Sequence, residues 1–222
     1  VDSVREAYNT MAYSAPQVER IARIAFELAL RRRRRVSSAD QANVLESHRL
    51  WRDTVTAFAA AYPQVELEHL YIDNCAHELG RRPYRFDVIL TDGLFGGIIS
   101  DQAAAVAGSI GMLPSVSLGD APPGVFEPVH GSAPRHTGQD RANPVAAIRS
   151  LALLLDLALG LRREAEWIEE AIVRVIGRGI RTYDIAAGAT TVVGTEAMGD
   201  AIAAELEAIL LELKDKAVDH KP

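Results

Sequence analysis

Apolar side chains along residues 16–30 recur at helical spacing. Val18, Ile21, Ala22, Ala25, Leu28 and Ala29 fall on one stripe, preceded by a capping-box pair, Ser14 and Gln17. The pattern predicts a helix running to about Arg33, then a short strand over residues 35–38. Leu50, Trp51, Val55, Phe58, Ala59 and Tyr62 return to helical spacing until Pro63, and residues 65–72 alternate as a strand does, which leaves Asp73 at a strand's carboxyl end. Residues 86–91 form a β-branched run bounded by Asp92 and Gly93. A helix is predicted over residues 98–107, with Asp101 in its first turn. Further on, Asn143 and Pro144 read as N-cap and N1 of a long apolar helix closed by Gly160. Another helix carries Trp167, Ile168, Ile172 and Ile176, and Thr195 caps a last one through about Leu213, with residues 214–222 as a polar tail.

Alternating helical and strand periods define an α/β fold. The Gly- and Pro-rich stretch 108–144 marks a crossing between two lobes, so the chain divides into residues 1–108 and 109–222. Lobes meeting at loops enclose a cleft, where Asp73 and Asp101 are candidates for a divalent cation or for acid/base work. Taken singly, each reads equally as a helix cap or dipole partner.

Composition narrows the class. The chain has 222 residues, 48% hydrophobic and 24% charged, with a net charge of −6, which is ordinary globular usage. A lone Cys75 permits no internal disulfide and suits a reducing cytoplasm. No apolar run reaches the roughly 18 residues of a membrane span, since Asp156 interrupts the longest, and no basic segment leads into an apolar one as in a secretory signal. A soluble cytoplasmic protein with no membrane partner is expected. The arginine run 31–35 reads either as a solvated helix end or as a nucleic-acid patch. The acidic balance favours the former, and no nucleic-acid partner is expected.

Short generic motifs are missing: there is no G-x-G-x-x-G and no P-loop, and His77-Glu78 lacks a second zinc-spaced histidine. Longer strings carry the information. Residues 42–46 (ANVLE), 65–74 (VELEHLYIDN), 86–101 (FDVILTDGLFGGIISD), 108–119 (GSIGMLPSVSLG), 126–134 (FEPVHGSAP), 181–185 and 194–202 resemble, in order and over nearly the whole chain, the β-decarboxylating dehydrogenases. Within that family the resemblance is to the 3-isopropylmalate dehydrogenases rather than the isocitrate ones. It implies a two-lobe isopropylmalate dehydrogenase-like α/β fold, incomplete at the N-terminus. The expected lobes are a dimerisation and substrate lobe over residues 1–108 and the C-terminal part of a cofactor lobe over 109–222. The implied reaction is oxidation of a 2-hydroxy acid by NAD(P)+ with loss of CO2, assisted by Mg2+ or Mn2+. Carried over position by position, the resemblance assigns Tyr13 as the proton-moving phenol, Asp73, position 97 and Asp101 as the metal carboxylates, and position 41 as the lysine. It assigns Glu127, His130, Gly131, Ser132, Ala133 and Pro134 to the cofactor loop, and places Asn143 near the adenine.

Departures from the pattern fall on the chemistry. Position 41 is Gln41, which hydrogen-bonds but cannot act as a general base. Position 97 is Gly97, leaving two carboxylates of three and a weakened metal site, and Gly93 replaces an asparagine. Against the family's length the chain is also expected to lack the segment with the substrate-binding arginines. These losses imply weak or lost activity in this chain alone. Three readings stay open: a degenerate paralogue, one part of a split enzyme, and a non-catalytic subunit of a full-length relative. NAD-using members carry an acid at position 135. Here Arg135 is followed by His136, and Tyr183 resembles a phosphate-site residue of NADP-dependent members, so NADP is expected over NAD, with a solvated loop charge as the competing reading of Arg135. The family's dimer helices follow Asp73 and Asp101, and their apolar residues here imply a homodimer.

Overall fold

The computed structural model describes residues 5–121 and 123–218, and the chain separates into two units at the boundary between Val106 and Ala107. The first unit runs α1 (Ala15–Leu30), β1 (Arg35–Asp40), α2 (Glu46–Ala59), β2 (Glu66–Tyr71), α3 (Ile72–Arg81), β3 (Val88–Leu90) and α4 (Gly93–Ala107). Its three strands are parallel, in the order β2-β1-β3, with Val36 opposite Leu67 on one side and Val88 on the other. Parallel neighbours need crossover connections, and α2 and α3 supply them. Successive side chains alternate between the faces. Val36, Val88 and Leu90 meet Val18, Ala22, Phe26, Trp51 and Val55 of α1 and α2, whereas Ala39 and Ile89 meet Cys75, Leu79 and Ile99 of α3 and α4. Each fully buried large side chain of this kind contributes about 1.5–3 kcal/mol.

Central β1 is buried almost throughout although it reads Ser-Ser-Ala-Asp at its end, because each polar group is partnered. Ser37 Oγ donates to Glu68 at 2.6 Å, Ser38 Oγ accepts the Trp51 indole N–H at 3.3 Å, and Asp40 takes both arms of Arg52 at 2.9 Å. The strand therefore runs two residues beyond the predicted end. The first helix stops at Leu30 rather than Arg33, because the following arginines turn onto buried Asp87. The Asp87 carboxylate accepts from Arg32 Nε at 2.8 Å, from the Arg33 amide at 2.9 Å and from the Arg35 amide at 3.3 Å, and the Arg33 guanidinium donates to the carbonyls of Tyr84 and Phe86. Burial pushes the Asp87 carboxyl up, but these hydrogen bonds outweigh it and hold the group below the usual carboxylate range. The arginine run is a largely solvated helix end, as expected, and its contacts to Asp87 clamp it to the start of β3. α4 begins at Gly93, five residues earlier than predicted, so Asp101 lies mid-helix and not in a first turn.

The second unit holds an antiparallel pair, β4 (Pro114–Ser117) and β5 (Val125–Pro128), then α5 (Val145–Leu157), α6 (Arg162–Gly177), a short parallel pair β6 (Ile180–Arg181) and β7 (Thr191–Val192), and α7 (Thr195–Val218). Val145, Ile168, Ile172, Val175, Met198, Ile202 and Ile209 close its core. The stretch 108–144 belongs to this unit and carries both β4 and β5. Asn143 caps α5 through its side chain, accepting the Val145 amide at 3.0 Å, with Pro144 rather than Asn143 at the N-cap position. Thr195 is the first residue of α7, and its hydroxyl donates to the Ala142 carbonyl instead of capping the helix. α7 continues through Val218, into the residues expected as a polar tail; positions 219–222 of that tail lie outside the described residues.

Candidate active-site and cofactor residues

All three strand ends of the first unit point the same way, and each is followed by a polar residue: Gln41 after β1, Asp73 after β2 and Asp92 after β3. Asp73 is exposed in the first turn of α3, its Oδ1 accepting the Asn74 amide at 2.7 Å. Asp101 is exposed on α4, one helical turn beyond Gly97, so both positions share a face. A Cβ at Gly97 or at Gly93 would meet nothing within 4 Å. Space for the absent side chains remains. The Gln41 amide is engaged with Asn43 Oδ1 at 3.1 Å, and its backbone N–H donates to His48 Nδ1 at 2.8 Å. Among the described residues, no three His, Cys, Asp or Glu side chains group as a metal ion requires. The donor set of one chain therefore does not fit a divalent ion.

Tyr13 lies in the extended segment before α1, half-buried, edge-on to Trp51 at 5.8 Å and 6.3 Å from His48. It lines a pocket of about 360 Å³ with Gln17, Arg20, Trp51, Thr91 and Asp92. Burial, then the charge of Asp92 and a hydrogen bond to it, raise the phenol above its ordinary range. His48 and Asp92, both buried, were not singled out by the sequence reading. A histidine in mid-helix carries no pattern, and Asp92 read simply as the end of a strand. Cys75 is also buried, its thiol pushed up to about 11 by burial and by Glu68, which makes it a packing residue and not a nucleophile.

In the second unit His130, Ala133, His136, Asn143 and Tyr183 line one pocket of about 130 Å³, together with residues 109–111, Ala142 and Asp184. Glu127, on β5, and Gly131, Ser132, Pro134 and Arg135 do not line it; all five are exposed. Ala133 sits in the left-handed region at φ 44, folding the loop sharply ahead of the short turn that carries Arg135 and His136. Asn143 Nδ2 donates to Asp184 at 3.0 Å, and Thr182 Oγ1 donates to the same carboxylate at 2.5 Å. Burial raises Asp184, but hydrogen bonds from Ser109, Thr182 and Asn143 prevail and hold it low. Gly111 is required here, since a Cβ would come within 2.9 Å of Asn143 Cβ. Tyr183 pairs its hydroxyl with His136 Nε2 at 3.3 Å, and Arg141, which the sequence reading did not single out, lies over its ring at 3.9 Å. His136 Nδ1 is buried without a partner, a polar atom left for a ligand at the pocket wall.

Parallel strands joined by crossover helices, together with a second unit whose pocket is lined by His130, His136, Asn143 and Tyr183, define an α/β fold. The sequence pattern of the isocitrate/isopropylmalate dehydrogenases matches residues 1–202, and the chain belongs to that family. It is 57% identical over 202 residues to a 3-isopropylmalate dehydrogenase of Synechococcus sp. (strain JA-3-3Ab), covering 91% of this chain and 53% of the relative. To the 3-isopropylmalate dehydrogenase of Nitratidesulfovibrio vulgaris it is 53% identical, covering 91% and 57%. The crystal structure of isocitrate dehydrogenase from Methylococcus capsulatus superposes with a TM-score of 0.82 at 34% identity, over 93% of this chain and 61% of that one. The chain thus spans about half the length of the curated relatives it matches.

Proposed function

We propose that this chain is an isopropylmalate dehydrogenase-type protein that retains a nucleotide site, prefers NADP to NAD, and turns over a 2-hydroxy acid such as 3-isopropylmalate weakly or not at all by itself. The carrying observation is the pair of positions 41 and 97. Gln41 has no ionisable group and spends its amide on Asn43, and Gly97 offers no carboxylate although the helix has room for one. Losing a positioned proton-transfer group alone costs about 10²–10⁴-fold. No step is assigned to a metal ion, because the donor set does not fit one.

The second unit's residues suit the adenosine end of a dinucleotide, with the buried His136 Nδ1 as the atom in need of a partner. Bound NADP would supply the hydride acceptor. Arg135, next to the pocket residue His136, and Arg141, over the Tyr183 ring, bring positive charge near that pocket, which favours a 2′-phosphate. In the first unit Tyr13 would hold a phenolic proton.

A non-catalytic, dimerising role is the second reading, supported by exposed Leu94, Ile98 and Val106 along α4. A homodimer is proposed in either case, and a longer relative or a complementary family chain would suit the same face. No helix among the described residues is long and apolar enough to cross a membrane. We place the protein in the cytoplasm, as the single free, buried Cys75 suits a reducing compartment. The test is an assay of reduced-nicotinamide formation by the purified chain with 3-isopropylmalate, Mg2+ or Mn2+, and NADP or NAD. Sustained turnover by the unaltered chain would overturn the weak-activity reading, and equal affinities for the two nucleotides would overturn the NADP preference.

A further inference from the structure

The amino ends of the first unit's strands gather positive charge, at the opposite end of the sheet from Gln41, Asp73 and Asp92. Taken alone, the arginine run 31–35 is a solvated helix end on a chain of net charge −6, which speaks against a polyanion. Folding changes its surroundings. The Arg33 guanidinium donates to the carbonyls of Tyr84 and Phe86, which sets a second basic segment, with Arg81, Arg82 and Arg85, beside the first. Fewer carboxylates meet these arginines. Asp87 accepts from Arg32, Glu66 pairs with Arg35, Glu78 with Arg82 and Arg85, Glu68 with Arg85, and Glu27 lies one helical turn before Arg31. Eight arginines against five carboxylates leave an excess of positive charge, of which the carboxyl ends of α1 and α3 offset only about half a charge each. The layering adds to it, since Asp87 and Glu78 are buried while the side chains of Arg32, Arg33 and Arg82 are half-exposed. At physiological ionic strength charges beyond about 8 Å are screened, so an approaching chain of phosphates meets this layer and not the net charge of the whole molecule.

Tyr84 sits inside the second segment with its side chain 73% exposed, and its carbonyl is tied to Arg33. A guanidinium fork takes a phosphate by two hydrogen bonds, and an exposed ring beside it offers a face to an unpaired base, whereas a duplex keeps its bases stacked inside. Both segments are turns and not the face of an amphipathic helix, which suits a flexible strand better than a bilayer. We infer that this arginine surface binds single-stranded nucleic acid through its phosphates, with Tyr84 as the stacking platform for a base. None of its residues belongs to the candidate active site or the cofactor loop, so the inference stands apart from the dehydrogenase reading.

Fluorescence anisotropy of the whole 222-residue chain with a labelled oligonucleotide of about 12 uridines tests this. The expected result is saturable binding that weakens about 20–50-fold between about 50 and 200 mM salt, as three or four phosphate contacts imply, with weaker binding of a duplex hairpin of matched length. R34G/R81Q removes two exposed charges while keeping the contacts to Asp87, Glu66, Glu68 and Glu78, and glycine suits the left-handed backbone of Arg34, φ 61. It should flatten the logarithmic salt dependence by about 1.4. Y84A should weaken the oligonucleotide about tenfold and leave that dependence in place. The inference is overturned by no binding at about 50 mM salt, by binding that both variants leave unmoved, by equal or tighter binding of the hairpin, or by stronger capture on phosphatidylserine-containing vesicles. Should R34G/R81Q not fold, the salt dependence of the unaltered chain and the loss in Y84A decide.

Discussion

The two units carry their polar residues differently. In the first, buried Asp40, Asp87 and Asp92 accept from Arg52, from the arginine turn and from the α4 amides, while Gln41 and Gly97, where the resemblance puts a lysine and a metal aspartate, hold an amide and no side chain. In the second, Asn143, Thr182, Ser109 and Asp184 form a hydrogen-bonded set under a pocket whose wall has an unpartnered histidine nitrogen, as Asp92 Oδ2 is unpartnered in the first. On the proposed reading the nucleotide-binding residues lie in the second unit and the proton-transfer positions in the first, so the two roles can be tested separately.

The contrast breaks hardest at Asp87. Asp87→Ala removes the buried acceptor of three arginine positions and should destabilise the first unit by about 3–5 kcal/mol, read by thermal or denaturant unfolding, while NADP binding by the second unit persists below the transition. The pH dependence has a defined sign. The folded-state value lies below the unfolded one, so the contribution is present above about pH 4, the unfolded value, and is lost as pH falls through the depressed folded value. Constant stability through that acid range in urea titrations would contradict the clamp.

Next in size, Q41K/G97D introduces a titratable amine at position 41 and a carboxylate in the open space at position 97, and should raise turnover by about 10²-fold or more with the NADP affinity unchanged. An unchanged rate would place the defect elsewhere. In the other unit, Gly111→Ala forces Asn143 away from Asp184 and should cost about 1–3 kcal/mol in stability along with nucleotide affinity. The smallest effect is on selectivity. His136→Ala with Arg135→Ala should weaken NADP by about tenfold and NAD far less, measured by fluorescence titration.

Much of this organisation was legible in the chain, and the misreadings share a cause. The apolar stripe of α1 and the β-branched run at β3 follow directly from side-chain period. The end of β1 was hidden because Ser37, Ser38 and Asp40 are polar, and only Glu68, Trp51 and Arg52, distant in sequence, make their burial tolerable. The predicted helix starts at residue 98, whereas Asp92 caps one that starts at Gly93, which moves Asp101 from a helix end to its middle. Long family-like strings named Asp73, Asp101 and the cofactor loop, and the family's pattern assigned Tyr13 outside them. Their neighbours His48, Asp92, Arg141 and Asp184 belong to no local pattern and emerge only when the chain is folded.

One preparation of the unaltered protein tests the central claim most directly: NADP binding and NADPH formation measured side by side, with 3-isopropylmalate and Mg2+ present. The separation of the two units predicts saturable NADP binding with NADPH formation at or near the background rate. Steady NADPH production at a rate matching an intact lysine-bearing relative would contradict it.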